Sequence, residues 1–74
     1  MQELIEKLKK IKKGVDFEKE DKLFYSGLLD SFDIIQIIGM LDDDYDISVP
    51  HSQIIPDNFN SAEAIYNLIQ RLGD

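Results

Sequence analysis

Apolar residues recur at helical spacing in three stretches of this chain. From Gln2 to Lys13, Leu4, Ile5, Leu8 and Ile11 share one side while Glu3, Glu6, Lys7, Lys9 and Lys10 share the other, which predicts an amphipathic helix. Gly14 is the expected C-cap, and the lysines before it suit the negative end of the helix dipole. The second stretch runs from Ser31 to about Tyr45. At about 100° per residue it turns Ile34, Ile35, Ile38, Leu41 and Tyr45 toward a core, with Asp42 at the rim. The opposite side gathers Asp33, Gln36, Met40, Asp43 and Asp44, flanked by Phe32 and Ile37. The third stretch carries Ala62, Ile65, Tyr66, Ile69 and Leu72 on its apolar stripe and ends at Gly73. Its N-cap is Asn60 or Ser61, and Asn60 with Glu63 has the spacing of a capping box.

Between these helices the pattern is irregular. Residues 15–30 form a long connection, polar from Asp16 to Lys22, which Leu23, Phe24, Leu28 and Leu29 are expected to tether to the bundle. After Val49-Pro50 the chain turns through His51-Ser52-Gln53. Ile54 and Ile55 precede Pro56, so an element there is limited to about one turn. His51, the sole histidine, is read as an exposed loop residue.

The start of the second helix is chemically the most pointed part of the chain. Asp30 suits the N-cap, because its carboxylate accepts hydrogen bonds from backbone N–H groups that have no partner inside the helix. Ser31 is then the first helical residue, and Asp33 places a second acid in the positive first turn. A serine held there tolerates a phosphoester on its hydroxyl, since helix N-termini favour negative groups.

Length and charge narrow the function classes. The chain has 74 residues, enough for one small domain spanning 1–74 with a modest core, and no cysteine for a disulfide or a Cys-based zinc site. Neither a membrane-spanning run nor a signal-peptide pattern is visible, so a cytoplasmic protein is the default expectation. The net charge of −7 is unevenly spread: residues 1–22 sum to +1 and residues 23–74 to −8. That field repels phosphate backbones, which argues against a nucleic-acid partner, and favours encounters with basic protein surfaces. The lysines of the first helix read as a solvated face.

Two catalytic or metal readings fail on the residues. Asp42, Asp44 and Asp46 match the first three ligand positions of an EF-hand loop, but Ile47 stands where glycine is required and Gln53 where a bidentate glutamate belongs. No calcium site is expected. With one histidine, no cysteine and no phosphate-binding glycine loop, the chain lacks a general acid–nucleophile constellation. Ser31 reads as the substrate of another enzyme, and the protein as a non-enzyme.

Gly27-Leu28-Leu29-Asp30-Ser31-Phe32-Asp33, running into the apolar-periodic Ile34 to Leu41, resembles the acyl and peptidyl carrier proteins. In that family an Asp-Ser pair at the start of the second helix carries 4′-phosphopantetheine on the serine. The likeness extends from about Leu23 to Leu72. It takes in the acidic helix end and Val49-Pro50 exit of Leu41 to Pro50, and Asn58-Phe59-Asn60-Ser61 before the last helix. Fatty-acid carriers typically read Leu-Gly-Ala-Asp-Ser-Leu, whereas Gly27-Leu28-Leu29-Asp30-Ser31 is more similar to free-standing aminoacyl and D-alanyl carriers and to some nonribosomal carrier domains.

The resemblance implies an all-α fold, a small three-to-four-helix bundle of acyl-carrier-protein type with a long loop between helices one and two. It implies 4′-phosphopantetheine on Ser31, transferred from coenzyme A by a phosphopantetheinyl transferase with magnesium, and an acyl or aminoacyl group held on it as a thioester. Asp30 would orient the helix start and recruit the transferase. Asp33, Gln36, Ile37, Met40 and Asp43 would form the partner-docking face, and Ile54 and Ile55 would belong to a short third helix. The implied partners are that transferase, a ligase that loads the acyl or aminoacyl group, and a downstream acyl transferase or synthase, all acting on a monomer. Amino acid, fatty acyl and polyketide cargo stay open, with Gly27-Leu28-Leu29 favouring an amino acid or specialised acyl group. Two alternatives also stay open: a carrier-like adaptor without a prosthetic group, and a small acidic regulator with helices of similar period.

Overall fold

Three helices pack their apolar stripes against one another and against the long connection. The computed structural model describes residues 1–73, with α1 at Gln2–Ile11, α2 at Ser31–Tyr45 and α3 at Ala62–Leu72. There is no strand among the described residues. Leu4, Ile5 and Leu8 of α1, Ile34, Ile37 and Leu41 of α2, and Ile65, Leu68 and Ile69 of α3 are buried together. Burying one such side chain contributes roughly 1.5–3 kcal/mol. The all-α bundle and the long loop between helices one and two are as the sequence implies.

Helix α1 stops two residues earlier than its periodicity predicts. Lys12 leaves the helix in an extended conformation, its N–H still bonded to the Leu8 carbonyl, and Gly14 sits in the following turn at φ +87°. The glycine is needed for the turn and is not the helix cap. Lys7 Nζ lies 3.1 Å from Asp44 Oδ2, and Lys12 Nζ 3.1 Å from Asp33 Oδ2, so α1 runs antiparallel to α2 with an ion pair near each end of α2.

The connection is anchored more deeply than its polar composition implies. Val15 and Phe17 join Leu23 and Leu29 in the core, with Phe24 and Leu28 half-buried at its edge. Asp16 makes this possible. Its side chain accepts from the Glu18 N–H and its carbonyl from the N–H groups of Lys19 and Glu20, closing a turn around Phe17. Further on, Gly27 adopts φ +84°, a left-handed conformation that glycine takes without a Cβ penalty. The Leu29 N–H then returns to the Leu23 carbonyl, so the segment folds back on itself just before Ser31.

The cap of α3 resolves in favour of Ser61, whose Oγ accepts from the Ala64 N–H at 2.9 Å. Asn60 has a different task. Its Oδ1 accepts from the N–H groups of Phe24 and Tyr25, and its carbonyl from that of Leu23. Leu68 is buried although it was outside the predicted stripe, while Tyr66 and Leu72 are half-buried. Asn60→Ala should therefore loosen the connection at a cost of about 1–2 kcal/mol. In a domain of this size that lowers the melting temperature by roughly 5–15 °C, read by thermal circular dichroism. An unchanged melting temperature would show that the tether is dispensable.

The short element before α3 is two separate 3₁₀ turns, His51–Gln53 and Pro56–Phe59. Ile54 and Ile55 lie between them and are exposed, in place of the single-turn helix expected around them. Pro56 opens the second turn, where its fixed φ and missing N–H are tolerated. Phe59 closes it and is fully buried.

Candidate functional site

Ser31 is the first residue of α2 and is exposed, with Asp30 as its N-cap. The cap is reciprocal. Asp30 Oδ1 accepts from the Asp33 N–H at 2.9 Å, and Asp33 Oδ2 accepts from the Asp30 N–H at 3.2 Å. An aspartate therefore does what glutamate or glutamine usually does at the third helical position. The Asp33 N–H holds the Asp30 carboxyl below its ordinary pKa, with a smaller contribution from the Lys12 charge, so Asp30 stays an anion and an acceptor.

Beneath Ser31 lies an apolar groove of about 310 Å³. Ile34, Ile35 and Ile38 of α2 line one side, Ile54, Ile55, Pro56 and Phe59 the far wall, and Phe24 of the connection also lines it. The connection is pinned to the far wall not only through Asn60 but also by Tyr25, whose hydroxyl donates to Asp57 Oδ1 at 3.1 Å. That bond raises the Tyr25 pKa.

Two residues expected on a docking face are buried. Asp33 is 5% exposed and Ile37 fully buried, whereas Ile35, assigned to the core, is 64% exposed. The cause is the position of α1. It lies along the side of α2 that carries Asp33 and Asp44, as the two lysine pairs show, and Ile37, on the same side, is buried while Ile35 is not. Periodicity gives the width of an apolar arc but not which flank a neighbour covers. Gln36 and Asp43 are exposed as predicted, Met40 is half-buried, and Asp42 is exposed, not at the core rim. Phe32, 67% exposed, joins Ile35 in an apolar patch beside Ser31 that the sequence reading did not assemble. His51 is exposed in its 3₁₀ turn. Among the described residues no group of carboxylates and histidines is arranged to hold a metal ion.

These features define a class: an acidic helical domain that presents one serine at a doubly bonded helix cap, beside an apolar groove and an exposed apolar patch. No family model matches the sequence. A D-alanyl carrier protein of Lactobacillus delbrueckii subsp. bulgaricus (strain ATCC BAA-365 / Lb-18) is 30% identical over 63 residues, covering 82% of this chain and 79% of that protein. The D-alanyl carrier protein of a second strain, ATCC 11842, gives the same figures. The chain belongs to the carrier protein family that these relatives represent. No helix among the described residues is long and apolar enough to cross a membrane.

Proposed function

We propose that Ser31 is the attachment site of 4′-phosphopantetheine and that the protein shuttles an acyl or aminoacyl group between partner enzymes. The observation that carries this reading is the exposed Ser31 at the capped start of α2. When bound, the group supplies a terminal thiol that holds the cargo as a thioester. The residues present fit it. Ser31 is exposed at the positive end of a 15-residue helix, where a phosphodiester is favoured by dipole and free N–H groups. The groove next to it gives the arm or its cargo an apolar surface to lie against. Asp30 keeps the helix start in register by accepting from the Asp33 N–H.

The loading partner is a phosphopantetheinyl transferase acting with coenzyme A and magnesium. The relatives' names and the Gly27-Leu28-Leu29 lead-in support an amino acid of D-alanine type as cargo, activated by an adenylating ligase. A downstream acyl transferase or synthase receives it. The test is intact mass after incubation with coenzyme A, magnesium and a promiscuous transferase. A gain of one phosphopantetheine is expected. No gain in the folded protein, with a known carrier loading in parallel, would favour the adaptor reading instead. Cargo is then read by loading the modified protein with candidate ligases and D-alanine or fatty acids.

The docking face on this reading is Phe32, Ile35, Gln36, Met40 and Asp43, with Asp33 and Ile37 removed from it. Asp43→Lys should slow loading several-fold, on the order of fivefold at low salt, and the deficit should shrink as salt screens the attraction to a basic partner. Initial rates at two ionic strengths check this. A rate equal to the parent's at low salt would take Asp43 off the face. Charge reversal at Asp33 would instead disrupt the helix cap, and so reports on folding.

A further inference from the structure

The cap of α2 is not made by α2 alone. Lys12 is the residue on which α1 ends, and its ammonium group reaches Asp33 Oδ2, the same oxygen that accepts from the Asp30 N–H. The Asp33 side chain is 7% exposed and that of Lys12 39%. A nearly buried carboxylate is thus compensated by one outside cation and one backbone bond, the one from the Asp30 N–H. Without the cation, keeping that oxygen charged and turned inward is unfavourable, because a buried ion needs its partner. The carboxylate would swing toward water and release the Asp30 N–H. Ser31 lies between Asp30 and Asp33, inside the loop that these bonds close.

We propose that Lys12 is a positioning residue for Ser31: by fixing the Asp33 carboxylate that closes the capping box, it sets the hydroxyl's place at the helix start. Where this concerns loading it rests on the modification of Ser31 proposed above. The claim about the helix start does not.

Electrostatics and positioning predict opposite kinetics for Lys12→Met, which keeps the length and apolar stem of the side chain. Loss of a positive charge from an acidic protein strengthens attraction to a basic transferase, so charge alone lowers KM and leaves kcat intact. Positioning lowers kcat, by about fivefold if the loss is that of one helix cap, with no rise in KM. Lys10→Met is the control, since Lys10 is an exposed residue of the same helix that makes no ion pair among the described residues. Lys12→Arg should restore kcat.

A second readout is independent of loading: hydrogen exchange of the Asp30 amide, which donates to Asp33 Oδ2, should quicken about fivefold or more in Lys12→Met, with that of core amides such as Leu68 unchanged. Kinetics and exchange matching those of Lys10→Met would overturn the proposal. If the parent protein does not load at all, the carrier reading fails, and equal Asp30 exchange in the two variants would still overturn the role of Lys12.

Discussion

Ser31→Ala is expected to abolish phosphopantetheine loading outright while leaving the fold intact. The two halves of that expectation have separate physical grounds. On the proposed function, loading needs the hydroxyl at this position, and alanine supplies none. The fold does not need the hydroxyl, because the cap bonds are made by Asp30 and Asp33, and Ser31 is exposed. Alanine is also the best helix former, so the stability change should stay within about 0.5 kcal/mol. Intact mass and a thermal melt on the same sample check both parts. Other serines do not share this geometry: Ser61 is held as the N-cap of α3, Ser26 and Ser48 lie outside the helices, and Ser52 lies in the short 3₁₀ turn His51–Gln53. A mass gain that survives the substitution would move the attachment site and overturn the assignment of Ser31.

The largest effect on stability is expected at Phe17. Its ring is 2% exposed, and Phe17→Ala should cost about 3–5 kcal/mol, the range for deleting a buried aromatic ring. At roughly 0.05–0.15 kcal/mol per residue the whole chain of 74 residues holds about 4–11 kcal/mol. A large part of the folded population is therefore at stake in one residue of a connection. Urea unfolding followed by circular dichroism measures it. A cost below about 1 kcal/mol would mean that the turn around Asp16 can relax and refill the site.

Phe17 also marks where sequence reading runs out. The helices were legible because burial repeats along them: Leu4, Ile5 and Leu8, or Ile65 and Ile69, announce a face by spacing alone. Phe17 stands among Asp16, Glu18, Lys19 and Glu20, and nothing periodic points inward. Only the Asx turn at Asp16 provides a local reason, and it becomes visible once its hydrogen bonds are known. The start of α2 was legible for the opposite reason. Capping is local chemistry, so Asp30, Ser31 and Asp33 could be placed from identity and spacing, and the helix bounds match. Which flank of α2 faces solvent was not legible. Ile35 and Ile37 are nearly equivalent in an isolated helix, and the difference between them is made by α1, through Lys7 and Lys12. The role of Asn60 lay out of reach in the same way, because its partners are more than 30 residues distant along the chain.

The reciprocal cap at Ser31 has a consequence for transfer. A helix start that frays would add its own wandering to that of any tether fixed to it, spreading the cargo through a larger volume. Here Asp30 and Asp33 close the first turn from both sides. On the proposed function, the reach of the cargo is then set by the tether's length alone, and its effective concentration at a docked partner falls in the millimolar range typical of short flexible links. A rigid anchor thus makes delivery a matter of geometry: a partner whose catalytic centre lies within one arm's length of the docked serine meets the cargo at high local concentration, and one beyond that radius meets none.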